Sequence, residues 1–464
     1  MNITSSHKIH WLLTLYLALN LIFQFGLVVF LGEKSIFILI AINFLYFLIF
    51  LNLTYLHNSI VALFLLNLIP LIYFDIEFHY TLLPILLQDS PIIFLVFISL
   101  LFALKERTGA SIKLTFIRVP LFIFTFYAIF MSAYGILVNK AQLSYVILEF
   151  LHAGYYSIAI LFSIIIKNRK TYHKIFIVIL LVYVLISVEY IGLTLLISNR
   201  IATFQAYISP LIIGGIFGCV LFMKKRKWFF TVFSIILIGM VFTLTRTLWV
   251  SIIITLSVLF YFYLVDYLKI SKKYVISFGL ISFIILLFVL TKISAKKADP
   301  SDINDTEYRT QSIANPTEDH SFLMRLELGY YIIQEFTKAP IFGSGFGSTV
   351  FYKITNDNTD AVLYPDNSWL YFLWKGGIVG FLLFVWIYWR ALKISLFLYR
   401  NSQNLLTKAI SIGIFAGLLG LIPFGLLNAV LIKYKTTIII GLVLAYLDNE
   451  HKLFQNESNA VLDK

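Results

Sequence analysis

The chain has 464 residues, of which 60% are apolar and only 13% charged, with a mean hydropathy of +0.91. Soluble domains hold about 45–50% apolar and about 25% charged residues, so this composition excludes a soluble enzyme, a nucleic-acid-binding domain and a disordered chain. The strands of an outer-membrane barrel alternate apolar and polar over about 10 residues, so the long unbroken apolar runs exclude that class too.

At about 20 apolar residues per span, the chain is an all-α polytopic membrane protein with about 12–14 transmembrane helices, a single membrane domain over 1–464. Met1 to His10 carries one Lys and is followed by an apolar run with no small-residue cleavage site; it reads as leading into a retained first span rather than a signal peptide. Apolar runs between polar breaks predict spans near 11–31, 35–56, 60–74, 91–104, 117–138, 145–166, 174–197, 206–223, 228–244, 247–267 and 274–291. A polar stretch covers 292–367, and three further spans follow near 368–390, 408–430 and 436–447. The one cysteine, Cys219, lies in an apolar run and offers neither a disulfide nor a thiolate metal site.

Loop charge orients these spans. With a cytoplasmic N-terminus, the inside loops Lys105–Arg118, Lys167–Lys174, Lys224–Lys227, Lys269–Lys273 and Arg390–Lys408 hold nineteen Lys and Arg. The short loops opposite hold six, namely Lys34, Lys140, Arg200, Arg246, Lys433 and Lys435. This is the positive-inside pattern, and it accounts for most of the net charge of +13 without nucleic acid. It predicts cytoplasmic termini and an outer loop at 292–367. Arg200 and Arg246 fall on that outer side, against the orientation rule. They are either cations snorkelling to headgroups or functional charges at the membrane edge.

Within the outer loop, Ser294 to Asn315 reads as a polar strap. From Ser321 to Lys338 the residues Phe322, Leu326, Gly329, Ile333 and Phe336 recur at helical spacing. They predict an amphipathic helix on or near the membrane surface, stopped by Pro340. Gly343-Ser344-Gly345-Phe346-Gly347-Ser348 has the look of a phosphate cradle, but no Lys-Ser/Thr pair or βαβ unit accompanies it, and a flexible turn is the plainer reading. Asp366, in Tyr364-Pro365-Asp366-Asn367-Ser368-Trp369, stands at the start of a span as a candidate base or helix cap. Tyr364, Trp369 and Tyr371 are candidates to stack on sugar rings or to form an interfacial aromatic belt. Glu149, His152 and Glu189 lie within spans, where ionisable groups mark proton pathways or helix-to-helix hydrogen bonds. No D-x-D pair or His pair supplies a metal site.

Four patches together resemble the superfamily of Wzy polymerases and WaaL O-antigen ligases, bacterial membrane glycosyltransferases. They are Arg200-Ile201-Ala202-Thr203-Phe204 with Pro210; Leu244-Thr245-Arg246-Thr247-Leu248-Trp249; Met324-Arg325-Leu326-Glu327 with Pro340 to Gly347; and Asp366-Asn367-Ser368-Trp369-Leu370 with Gly376-Gly377-Ile378-Val379-Gly380. They occupy about 195–390. The resemblance implies transfer of a glycan from an undecaprenyl diphosphate carrier to a hydroxyl, on the outer face of the bacterial cytoplasmic membrane, with no cofactor and no metal. It implies as partners the lipid-linked oligosaccharide and membrane lipids, with flippase and chain-length regulator proteins alongside.

Because negative charge develops on a departing diphosphate, the resemblance assigns Arg200 and Arg246 to catalysis and Arg325 to substrate binding. A guanidinium fork pairs with two phosphate oxygens and stays charged when desolvated. Asp366 becomes the candidate base, with Asn367, Tyr364 and Trp369 as candidate substrate contacts. The ligases usually carry a His where this chain has Asp366. The expectation is therefore a repeat-unit polymerase for O-antigen, capsule or exopolysaccharide. The alternatives are an O-antigen ligase and, outside the class, a lipid-linked-oligosaccharide flippase.

Overall fold

A computed structural model describes residues 117–166, 168–197, 208–223, 226–242, 245–273, 320–353 and 359–462. The spans expected at 11–31, 35–56, 60–74, 91–104 and 274–291, the strap at Ser294–Asn315 and Arg200 all lie outside the described residues. Contacts divide the chain into two compact units, 1–112 with 164–178 and 113–163 with 179–464.

The helices in chain order are α1 (Arg118–Leu137), α2 (Leu143–Gly154), α3 (Ile158–Ile165), α4 (Arg169–Ile197), α5 (Ser209–Phe222), α6 (Arg226–Phe242), α7 (Arg246–Phe262), α8 (His320–Lys338), α9 (Ser368–Asn401), α10 (Leu405–Leu427) and α11 (Tyr434–Leu462). A 3₁₀ turn at Tyr155–Ser157 joins α2 to α3 into one apolar rod, and α7 ends in a π-turn at Tyr263–Tyr267. Among the described residues, six helices are long and apolar enough to cross a membrane. The chain is an α-helical polytopic membrane protein. Large apolar side chains such as Phe126, Leu137, Ile253 and Leu382 point outward, as lipid-facing positions require. In the first unit, the Asn168 side chain starts α4 by accepting the Lys170 N–H at 2.9 Å.

The helix α8 was expected over Ser321–Lys338 and forms over His320–Lys338. Its inner face, Leu328, Tyr331 and Ile332, packs on Leu370 and Trp374 of α9 and on Val350. Leu323, Leu326, Tyr330 and Ile333 are exposed. The apolar stripe is therefore wider than the core needs, and its outer part fits a bilayer surface. The all-α expectation misses one small feature. Val350–Lys353 and Thr359–Val362 pair antiparallel, Val350 opposite Val362, as strands β1 and β2.

The second unit is tied together at both ends of its helices. At one end, buried Arg118 donates to Asp448 at 3.0 Å, Thr407 to Glu450 at 3.2 Å and Tyr399 to Asp266 at 3.0 Å. At the other, Asn139 donates to the Ser344 carbonyl and Asn428 to Thr247 at 2.8 Å. Asp448 and Glu450 lie near the middle of α11, and the other partners lie at or near helix ends.

Close packing of α5 on α10 rests on small residues. Backbone of one helix meets backbone of the other where Gly214 faces Gly413 and Gly218 faces Ala409; a Cβ on Gly214 would collide with the Gly413 carbonyl. Small residues at four-residue spacing permit this approach in membranes. Gly413→Leu is expected to force the pair apart at a cost of about 1–3 kcal/mol, read as a lower melting temperature of the detergent-solubilised protein; an unchanged melt would mean that the helices separate without cost.

Candidate functional site

The chemistry-bearing residues gather at the end of the second unit where α9 begins. Asn367 caps that helix, its Oδ1 accepting the Trp369 and Leu370 N–H groups at 3.0 Å each. Capping was weighed for Asp366, and the structure corrects this by one residue. The helix start needs an acceptor at the position with extended φ/ψ, and Asn367 holds it at φ −121°, ψ 107°. Asp366 is left exposed, and one of its oxygens accepts from Arg325 Nε of α8 at 3.0 Å. Two of the residues expected to act on substrate are thus paired with each other.

Ser368 links this point to a second patch. Its hydroxyl donates to the Asn428 carbonyl at 2.8 Å and accepts the Leu431 N–H at 3.0 Å. The Asn428 side chain donates to Thr247 at 2.8 Å. Arg246 is the first residue of α7, immediately before Thr247. A continuous chain of polar contacts therefore runs from the start of α7, through Asn428, to the Asp366-Asn367-Ser368 segment. A cation in the first turn opposes the helix dipole, whose positive end lies there, so Arg246 stands where an anion would be favoured and a cation is not.

Tyr364 lies between His152 of α2 and Tyr371 of α9, with ring centroids at 5.6 and 5.9 Å. Its hydroxyl lies 3.2 Å from His152 Nδ1, and Lys433 Nζ lies 5.8 Å from its ring centroid. Trp369 turns inward, donating to the Ile422 carbonyl at 3.1 Å and meeting Phe381, Phe384 and Tyr388 edge-on. Both rings are half-buried and each packs against neighbouring rings, Tyr364 at the site and Trp369 toward α10.

The glycine-rich loop is neither a flexible turn nor a phosphate cradle. It closes a break in α9. Gly377 has φ 60°, ψ −167° inside that helix, which leaves backbone groups without helical partners. Loop and helix satisfy one another: Ser344 N donates to Trp374 O at 2.9 Å and Gly345 N to Lys375 O at 3.0 Å, while Ile378 N donates to Pro340 O at 2.9 Å and Val379 N to Ile341 O at 3.2 Å. Gly343 N donates to Ala339 O at 2.8 Å, Phe346 N to Met131 O at 3.2 Å and Gly347 N to the Glu149 carboxylate. The amides that would hold a phosphate are already used. Broken backbone at membrane depth is tolerated where protein covers it, and the loop is that cover. Gly345, at φ 76°, lies against Gly135 of α1, where a side chain would be both strained and crowded.

Residues 231–385 match the family model described as O-Antigen ligase. That stretch, about a third of the chain, supports the resemblance to the Wzy/WaaL O-antigen ligase superfamily. The matched domain supports a function of the O-antigen ligase and polymerase type, and that family consists of membrane glycosyltransferase-like enzymes. No curated protein matches the chain. The matched stretch holds three of the four patches: Thr245-Arg246-Thr247, the segment from Arg325 to Gly347, and Asp366 to Gly380. The matched stretch thus holds α7, α8, the glycine loop and the first part of α9, and Asn428, which links α7 to α9, lies beyond it. Sequence reasoning left two participants unassigned, Asn428 and the partnership of Lys375 with Glu149.

Proposed function

We propose that the chain is a polysaccharide repeat-unit polymerase. It moves a growing glycan from an undecaprenyl diphosphate carrier to a sugar hydroxyl of a second lipid-linked oligosaccharide, at the outer face of the cytoplasmic membrane. The observation that carries this reading is that the start of α7, Arg325 and Asp366 lie at one end of the helices. The segments bearing them are joined by the Arg325–Asp366 ion pair and by the Thr247–Asn428–Ser368 contacts.

In the reaction, the acceptor oxygen forms a bond to the anomeric carbon. The bond from that carbon to the diphosphate oxygen breaks, and undecaprenyl diphosphate leaves with the electron pair. Guanidinium groups of Arg246, Arg325 and Arg200 bind the charge that develops there, and preorganised cations of this kind are often the largest catalytic contribution. The acceptor proton passes to Asp366. Competition by the donor diphosphate for Arg325 frees the carboxylate for this role, so the ion pair at rest is the closed form of the site. No step calls for a metal.

Asp366, in place of the His usual in the ligases, supports polymerisation over ligation. The positive-inside count supports cytoplasmic termini and an outer α8. Surface glycan from a deletion strain tests the reading. Single repeat units on a finished core are expected. A bare core with long lipid-linked chains would indicate a ligase, and carrier-linked units trapped inside would indicate a flippase.

A further inference from the structure

Lys375 and Glu149 form an ion pair with side-chain exposures of 1% and 0%, Nζ lying 2.9 Å from Oε1 and 3.1 Å from Oε2. Each belongs to a span, α9 and α2 respectively, roughly two helical turns from the end where the site gathers. Burying two charges beneath a membrane surface is costly unless every remaining valence is met. Here Tyr371 of α9 meets Glu149 with a side-chain hydrogen bond, and the other contacts go to the glycine loop. The Lys375 ammonium donates to the Ser348 carbonyl, and Glu149 accepts the Gly347 N–H. The pair therefore grips adjacent residues at the end of the glycine loop. The ammonium also lies 4.1 Å from the Trp374 ring centroid.

The loop in turn fills the break in α9 at Gly377, and it follows directly from α8, which carries Arg325. The half of α9 before the break carries Asn367 at its start, with Asp366 just ahead of it. Helix α8 packs on this half-helix through Ile332 and Trp374. The relative placement of Arg325 and Asp366 is thus set by where the loop holds α8 against the half-helix.

We infer that Lys375 and Glu149 are positioning residues, a buried latch whose two heads fix the glycine loop in the break of α9 and thereby align Arg325 with Asp366. This rests on the glycan-transfer reading of the site. The latch touches backbone as well as its own partner, so it differs from a plain ion pair in what rescues it. Exchanging the charges restores attraction, but a lysine at 149 cannot accept the Gly347 N–H and a glutamate at 375 cannot donate to the Ser348 carbonyl.

Two readouts on full-length protein in proteoliposomes test it. One is amide hydrogen exchange over 343–348, the other the kcat and donor KM for transfer from a lipid diphosphate-linked oligosaccharide. The variants are Glu149→Ala, the exchanged Glu149→Lys/Lys375→Glu, and Glu149→Gln/Lys375→Met. The last leaves no unpaired buried charge and is expected to fold even where a single change does not. All three should speed exchange in the loop while leaving the α10 segment protected. They should lower kcat by about 10²-fold, the scale of a small misplacement of reacting groups, with donor KM little changed. Loop exchange like wild type in every variant would overturn the latch. Full rescue by the exchanged pair would reduce it to charge neutralisation and overturn it equally. Loosened loops with wild-type kcat would overturn the positioning role alone. Absence of transfer by wild type itself would overturn the glycan-transfer reading and the positioning role with it, whereas exchange would still report the latch.

Discussion

Arg246→Ala is expected to lower glycan transfer by on the order of 10²–10³-fold, equivalent to about 2–4 kcal/mol of lost transition-state stabilisation, while the protein still inserts. The diphosphate leaves carrying charge that the carbohydrate cannot disperse, so a fixed cation beside it acts mainly in the transition state. Arg246 opens α7, and the neighbouring Thr247 is held by Asn428, so the position is anchored without the guanidinium. Stability should therefore be unchanged or slightly raised by the substitution, because a cation in the first turn opposes the helix dipole by about 0.3–1 kcal/mol. Arg246→Lys should restore part of the rate, since an ammonium supplies charge but not the bidentate fork. Wild-type chain lengths from Arg246→Ala at matched expression would reduce the residue to a membrane anchor.

Asp366→Asn is expected to remove most polymer, measured as surface glycan at matched expression. Asparagine keeps the size and one acceptor oxygen but cannot take the acceptor proton. Two structural explanations for such a loss are closed off. The helix cap is Asn367 and not Asp366, so α9 starts normally in the variant. The Arg325–Asp366 pair is substantially exposed, at 30% and 54%, and pairs of that kind contribute about 0–1 kcal/mol to folding. Asp366→His should retain some polymer, because an imidazole within reach of the hydroxyl can serve as base. Near-normal polymer from Asp366→Asn would move the proton to another group of the site or to the substrate's own phosphate.

The helices between 117 and 267 and those after 367 were legible because lipid selects long apolar runs, and breaks such as Lys167–Lys174 interrupt them. Helix α8 was legible from its periodicity, although the stripe of Leu326 and Ile333 marks its outer face and not its packing face. The hairpin at Val350–Lys353 and Thr359–Val362 was hidden inside a polar stretch read as loop. The break in α9 was hidden as well. Gly376-Gly377 in an apolar run says that a helix can break, but only the matching N–H groups of residues 344 and 345, brought in from outside, say that it does. Lys375 and Glu149 are 226 positions apart, and nothing local marks either as the other's partner. At the site, the types of residue were legible and their pairings were not. Arg325 and Asp366 were assigned to different parts of the substrate, yet they bond to one another. A cap displaced by one residue, from Asp366 to Asn367, lies below what spacing alone resolves.

The most direct measurement of the central claim uses purified protein in proteoliposomes, supplied on one face with an undecaprenyl diphosphate-linked oligosaccharide and no second enzyme. Products are resolved by the number of repeat units on the lipid. The account predicts lipid-linked chains of two and more units appearing together with equimolar free undecaprenyl diphosphate per bond formed, both lost in Arg246→Ala. Substrate that crosses the bilayer unchanged in length, with no undecaprenyl diphosphate released, would contradict it.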